Sequence, residues 1–152
     1  MNSPNIYTSA RIFYGAGFNA YLDLMRLSVP FNNVTKAPVI LCLGVDAKYG
    51  QSVVGVEIRK AIKNGAKIIT VNLNQTNLSI IADEWLQPSP GVELDVVRAI
   101  VQLLTGIAPS KNIKGINRTQ QAQIASIAEM LGSAKSPLII VGSDYFIINT
   151  VN

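Results

Sequence analysis

The chain of 152 residues is long enough for one domain that buries roughly 70% of the surface its unfolded form exposes. Charged residues make up only 14% of it, against roughly 25% in average proteins. We therefore expect other protein to cover part of its surface, as in a piece of a larger subunit or an oligomer of this chain. The net charge of +4 comes mainly from scattered basic residues and predicts no nucleic-acid partner.

Residues that carry common catalytic and metal chemistry are scarce. The sequence has no histidine and a single cysteine, Cys42, inside an apolar run. Catalytic triads and zinc sites need imidazole or several thiolates at defined spacing, so we predict no catalytic residue and no metal site in this chain. No leader and no apolar run of 18 residues is found, which predicts a cytoplasmic protein without a membrane span.

The regular pattern begins weakly and then sharpens. A helix is predicted over residues 18–27, before Pro30. From residue 38 the pattern predicts a βαβ unit, with strands over 39–43 and 67–72 and a helix over 52–64. Both strands are continuous apolar runs, as expected for parallel strands covered by helices on each face.

The second half of the chain predicts further alternation of helices and extended segments. We expect a helical turn near 78–82, an extended piece over 84–87, a helix opening at Ser89-Pro90, a loop over 105–116, a helix opened by a capping box at 117–120 and a strand over 138–141. The acidic pairs Asp83-Glu84 and Glu93 with Asp95 are interpreted as surface and helix-start charge, because adjacent side chains do not face each other. These elements predict one α/β domain.

Ligands of open α/β sheets bind beyond the carboxyl ends of the strands. This rule places the predicted site at Gly44-Val45-Asp46, after the first strand, and at Asn72-Leu73-Asn74, after the second. A glycine before a helix N-terminus offers backbone N–H groups to a phosphate, although the spacing is not that of a P-loop. The segment Pro90-Gly91-Val92-Glu93 is a second candidate anion site, because it is predicted to place glycine in a first helical turn.

An alternative site lies nearer the N-terminus. The segment from Gly15 to Ala20 fits the G-x-G-x-x-A form of a dinucleotide fingerprint and follows the short apolar run 12–14. It predicts a module that binds NAD. A full fingerprint also requires an acidic residue about 20 positions further on, and the next acid at a strand end, Asp46, is more distant.

The order and spacing of several segments resemble those of the molybdopterin oxidoreductase family. Within it, the chain is most similar to formate dehydrogenase large subunits and to the large iron–sulfur subunit of respiratory NADH dehydrogenase. The segments that carry the resemblance are 37–44, 53–69, 81–86 and 90–91, and it extends over most of residues 9–142. It implies a Rossmann-like, open and mainly parallel sheet with helices on both faces, which binds the guanosine end of a molybdopterin guanine dinucleotide.

By position, the resemblance implies which residues hold this cofactor: Gly44, Val45, Asp46, Asn72, Pro90, Gly91 and Glu93. Two segments differ from the family. Residues 46–49 are Asp-Ala-Lys-Tyr, where the family often has Asn-Pro and a Glu, and residues 72–74 are Asn-Leu-Asn, where it often has Asp-Pro-Arg. The cysteines of an iron–sulfur cluster and a molybdenum ligand are absent from the sequence. The resemblance thus implies a cofactor-binding domain that is not catalytic alone and whose partners are the remaining domains or subunits of an oxidoreductase complex. The alternative is a cofactor-free structural domain of a respiratory NADH dehydrogenase or hydrogenase-like complex.

Overall fold

A computed structural model describes residues 22–23, 25–108 and 115–142. Its elements in chain order are a 3₁₀-helix (Phe31–Lys36), β1 (Val39–Leu43), α1 (Ser52–Lys63), β2 (Lys67–Val71), α2 (Asn77–Ile81), β3 (Glu84–Leu86), α3 (Glu93–Leu104), α4 (Arg118–Ser133) and β4 (Leu138–Val141). The Gly15 to Ala20 fingerprint lies outside the described residues. Across the described ranges, no helix combines the length and apolar character needed to cross a membrane.

The described strands form one parallel sheet in the order β3-β2-β1-β4. This confirms the predicted Rossmann-like α/β architecture with an open sheet flanked by helices. Because β2 and β3 extend the sheet on one side of β1 while β4 joins the other side, the strand order reverses between β1 and β4. Open α/β sheets bind ligands at such a switch point.

Alternation of side chains along β1 explains why its apolar run is continuous. Val39, Leu41 and Leu43 pack against α3 and α4, whereas Ile40 and Cys42 pack against α1, the 3₁₀-helix and Leu78 of α2. Successive side chains of a strand point to opposite faces, so a central strand covered on both faces needs apolar residues throughout. All five residues of β1 are buried.

Helix α3 does not begin at Ser89-Pro90, where the sequence predicted its start. Helix α3 begins at Glu93, and the preceding residues form a turn in which the Val92 backbone N–H donates to the Ser89 carbonyl at 3.0 Å. Gly91 has a φ of 85°. Proline at the second position of a turn and glycine with positive φ at the third are typical of a type II turn. The Pro-Gly pair therefore forms a turn here, and the helix begins after it.

The capping box predicted for α4 is confirmed, and the same helix also covers the edge of β3. The Asn117 and Gln120 side chains accept from each other's backbone N–H groups at 2.8 and 2.9 Å. Gln120 and Gln123 then donate through Nε2 to the carbonyls of Gln87 and Trp85, at 2.7 and 3.1 Å. These glutamines satisfy the carbonyls of Trp85 in β3 and of Gln87 directly after it.

Asp83 braces the start of β2 rather than serving only as surface charge. Its Oδ2 accepts from the Ile68 backbone N–H at 2.8 Å, and its own N–H donates to the Ile68 carbonyl at 2.8 Å. The neighbouring Glu84 turns elsewhere and accepts from the Ser126 hydroxyl at 3.3 Å. The acidic pair therefore makes two separate structural hydrogen bonds, consistent with the expectation that its members do not face each other.

Replacing Asp83 with alanine is expected to lower the free energy of unfolding by about 1 to 2 kcal/mol, because the N–H of fully buried Ile68 loses its acceptor. Asp83→Asn keeps an acceptor oxygen and is expected to retain most of the stability. Urea denaturation of both variants and the wild type measures the difference. Equal midpoints for the alanine and asparagine variants would contradict this role of the carboxylate.

Candidate nucleotide-binding site

The loop after β1 begins with a sharp change of backbone direction at Gly44. Gly44 has a φ of 61°, a region that costs other residues strain, and its N–H donates to the Val71 carbonyl at 2.9 Å. The next residue, Val45, is buried and belongs to the core on the α1 side. The chain is thus held against the end of β2 before it turns toward α1.

Asp46 organises the rest of this loop. Its Oδ1 accepts from the backbone N–H groups of Lys48 and Tyr49, at 2.9 and 3.3 Å. Its carbonyl accepts from the N–H groups of Gly50 and Gln51, while its own N–H donates to Gln51 Oε1 at 3.2 Å. One carboxylate oxygen is therefore committed to the loop, and Oδ2 has no hydrogen-bond partner within the described part of the chain.

The N-terminus of α1 remains open to an anion. Gln51, its N-cap residue, makes no side-chain cap hydrogen bond, and the first turn carries no acidic residue. The first N–H groups of a helix have no intrahelical acceptor and carry a positive partial charge. Gly55 allows this turn to approach the loop, since a Cβ there would lie 2.7 Å from the Ala47 carbonyl oxygen. The ammonium of Lys48 lies nearby in sequence, 4.7 Å from the centre of the Tyr49 ring.

Asn72 joins the ends of the first two strands. Its Nδ2 donates to the Val45 carbonyl at 3.4 Å, and its backbone N–H donates to the Leu86 carbonyl at 3.2 Å. The structure therefore brings Asn72 into contact with the Gly44 to Asp46 loop, as the parallel arrangement of the strands predicts. The Nδ2 group of the Asn72 side chain is therefore already engaged in holding this loop.

The segment from Pro90 to Glu93 follows β3 and is linked to these loops only indirectly by hydrogen bonds within the described residues. Among the described residues, no hydrogen bond joins it to 44–46 or to Asn72, and the connection runs through Gln87, whose Nε2 donates to the Leu73 carbonyl at 2.7 Å. Gly91 is exposed, and a Cβ there would have no atom within 4 Å. Glu93, at 3% exposure, is buried at the first position of α3.

The two helix N-termini differ in charge. The first turn of α1 is free of acidic residues, whereas Glu93 and Asp95 lie in the first turn of α3. Negative charge near a helix N-terminus offsets the dipole that would attract a phosphate. A phosphate therefore favours α1, and groups that donate hydrogen bonds, such as the N–H groups of a nucleobase, favour α3. The second anion site at Pro90 to Glu93 stays a prediction.

Gly142, which was not selected from the sequence, contributes to the geometry of this sheet edge. Its N–H donates to the Leu43 carbonyl at 2.7 Å, which extends the pairing of β4 with β1 by one residue. A Cβ at this position would collide with the Gly44 carbonyl oxygen. The glycine directly after the last predicted strand was the signal available in the sequence, but it shows a close approach only once the strand order is known.

The described residues contain no group of three or more histidine, cysteine, aspartate or glutamate side chains that could hold a metal ion. The described arrangement offers groups for binding: backbone N–H groups and an uncapped helix for an anion, with carboxylate and amide groups beside it.

Comparison with known proteins gives a partial similarity. No protein-family model matches the chain. The chain is 27% identical to one subunit of the NADH-quinone oxidoreductase of Shewanella oneidensis, over an alignment that covers 73% of this chain. The alignment spans 15% of the length of that relative. The similarity connects the chain to a component of an oxidoreductase, in agreement with the NADH dehydrogenase side of the resemblance seen in the sequence.

Proposed function

We propose that this chain is a nucleotide-binding domain of an oxidoreductase complex, which holds the guanosine end of a molybdopterin guanine dinucleotide. The observation that carries the proposal is the contact between Asn72 and the Gly44 to Asp46 loop, beside the uncapped N-terminus of α1. These groups lie at the carboxyl edge of a parallel sheet, next to the position where the strand order reverses. The similarity to part of an NADH-quinone oxidoreductase supports the same class of protein.

In this proposal different residues of the chain bind the phosphate, the ribose and the base. The first N–H groups of α1 donate to the oxygens of a phosphate, with Lys48 as the adjacent cation. Asp46 Oδ2 is available to accept from a ribose hydroxyl. Glu93, which is buried at the start of α3, would have to become accessible beside Gly91 before its carboxylate could accept from guanine N–H groups. The exposed space above Gly91 gives the base access to the start of α3.

The fit of the cofactor concerns its nucleotide end only. When bound, the dinucleotide would supply a metal-carrying pterin on which redox chemistry takes place. The residues of this chain would bind and orient the guanosine and its phosphates, and the remaining domains or subunits of the complex would hold the reacting end. The chain would therefore be a binding domain that is not catalytic alone.

The central test is a titration of the full chain with GDP and with guanosine by isothermal calorimetry, in the wild type and in Gly91→Val. We expect the substitution to weaken GDP binding by at least about tenfold, equivalent to about 1.4 kcal/mol, because the valine side chain would occupy the space next to α3. The matched control is Gly106→Val, at the other end of α3. Gly106 has a φ of 75° against 85° for Gly91, and a Cβ at either position meets no atom within 4 Å. Both variants thus carry similar backbone strain, and only the first changes the proposed site.

Other outcomes distinguish the alternatives. Equal GDP affinity in the Gly91→Val and Gly106→Val variants would place the nucleotide elsewhere. A wild type that binds no guanine nucleotide would overturn the proposal. The cofactor-free structural domain is the second candidate, and it is favoured by the use of Asp46 Oδ1 and Asn72 Nδ2 within the chain. NAD binding that disappears in Gly17→Val would support the fingerprint at Gly15 to Ala20 instead.

A further inference from the structure

Helix α3 is apolar over a wider arc than the core covers. Val96, Ala99 and Ile100 are buried against the sheet. Leu94, Val101 and Leu104 are also apolar but are 37%, 51% and 44% exposed. With 3.6 residues per turn, these three residues and Val97 lie along one side of the helix. We call this set, Leu94, Val97, Val101 and Leu104, the outer stripe.

A groove borders the outer stripe. It has a volume of about 300 Å³ and is open to solvent between α3 and α4. Its lining residues are Leu103, Leu104, Ala125, Ala128, Glu129 and Gly132. The groove is deep on the side of α4 because the α4 residues that line it are mostly small. Leu104 belongs both to the groove and to the outer stripe. An apolar ridge and an apolar depression thus lie side by side on one face of the domain.

Two charged residues flank this face on opposite sides. Glu129 lines the groove on α4. Arg98 lies on α3, about 120 to 140° around the helix from Leu104 and Leu103, and therefore on the far flank of the outer stripe. Its ion pair with Asp95 is long, at 3.4 Å, and exposed, so it holds the guanidinium weakly. Glu129 forms no ion pair with any basic residue that the structure describes.

We propose that a second copy of this chain packs on this face through a two-fold axis, with the outer stripe of each copy against the groove of the other. The order across the face is Arg98, outer stripe, groove and Glu129. A two-fold axis that runs parallel to α3 reverses this order in the partner copy, which places each ridge over a groove and each Arg98 opposite a Glu129. Interfaces of this kind require a self-complementary surface, and a neighbouring ridge and groove with opposite charges at the two flanks meet that requirement.

The low charge content of the chain is consistent with this arrangement. Only 14% of the residues are charged, and burial of the outer stripe would remove exposed apolar area from water. Arg98 and Glu129 would fix the relative orientation of the copies more than their affinity, since charged groups at an interface rim act mainly on specificity. The groove lies at the C-terminal end of α3, whereas the proposed nucleotide site uses the N-terminal end of this helix.

Sedimentation velocity of the full chain at low and high micromolar concentration tests the pairing. We expect a reversible dimer in the wild type. Val101→Asp is expected to weaken it by at least about tenfold, because the interface would then bury an unpaired carboxylate. Val53→Asp is the matched control, since Val53 is 67% exposed on α1, a helix on the opposite face of the sheet, and should leave the dimer unchanged. Far-UV circular dichroism confirms that both variants are folded.

A charge exchange tests the two-fold arrangement itself. Arg98→Glu and Glu129→Arg, each alone, are expected to weaken the dimer by like-charge contact, and the double variant is expected to restore it. A wild type that stays monomeric overturns the proposal, as does a dimer that Val101→Asp leaves intact. Failure of the double variant to recover the association overturns the opposition of Arg98 and Glu129.

Discussion

Replacing Gly142 with alanine is expected to lower the free energy of unfolding by about 3 kcal/mol, the upper part of the range for overpacked sites. The added Cβ would collide with the Gly44 carbonyl oxygen and lie 2.7 Å from the carbonyl carbon. Both are backbone atoms beside the central strand and cannot rotate away as a side chain would. Relief requires β4 to move from β1, which weakens the hydrogen bond from Gly142 N–H to the Leu43 carbonyl. Urea denaturation followed by circular dichroism measures the loss.

Gly132→Ala provides the matched control for the Gly142 variant. Gly132 lies near the end of α4, where a Cβ would meet the Leu104 side chain at an ordinary distance of 3.5 Å. Alanine is favoured over glycine inside a helix, so this variant should be as stable as the wild type or more stable. Equal stability of Gly142→Ala and the wild type would show that the sheet edge yields without cost.

Alkaline pH is expected to destabilise the protein through Cys42, by up to about 4 kcal/mol between pH 9 and 12. Burial raises the pKa of the Cys42 thiol from 9.0 to about 12. Between these values the unfolded chain has lost the thiol proton and the folded chain retains it. The unfolded state then binds fewer protons, so the free energy of unfolding falls as pH rises, by about 1.4 kcal/mol for each unit.

Comparison with Cys42→Ala isolates this contribution, because lysines and tyrosines titrate in both proteins. The variant is expected to begin less stable, since the substitution removes buried volume, but to lose less stability between pH 9 and 12. Denaturation midpoints at half-unit pH intervals provide the measurement. Parallel stability curves for the two proteins would contradict a protonated Cys42 in the folded state.

Much of the fold follows from local pattern in the sequence. The strand from Val39 to Leu43 was predicted with its observed bounds. A short, continuous apolar run between a proline and a glycine is typical of a buried strand in an α/β domain. The helix over 52–64 was also found to within one residue, since its apolar side chains recur at helical spacing. The start of α3 was misplaced because Ser-Pro favours a helix start and Pro-Gly favours a turn, and the positive φ of Gly91 decides between them.

The candidate site could be located but not described from sequence. Parallel strands place their carboxyl ends together, so the proximity of Gly44 to Asp46 and Asn72 follows from the βαβ pattern alone. Asp46 accepts from the backbone N–H groups two and three residues further on, an arrangement that aspartate often makes in turns but that its presence in the sequence does not require. The bonds from α4 to β3 join residues 33 and 38 positions apart and require the packed structure.

The coverage of β3 by α4 makes the sheet unequal at its two edges. Gln120 and Gln123 already donate to the outward carbonyls of Gln87 and Trp85, so a strand approaching β3 would find these acceptors occupied. On the other side, β4 pairs with β1 alone within the described residues. Growth of the sheet, by evolution or by protein engineering, is therefore directional. Within the described residues, an added strand would meet a partly exposed edge at Leu138–Val141, whereas an addition at β3 would first have to displace the glutamines of α4.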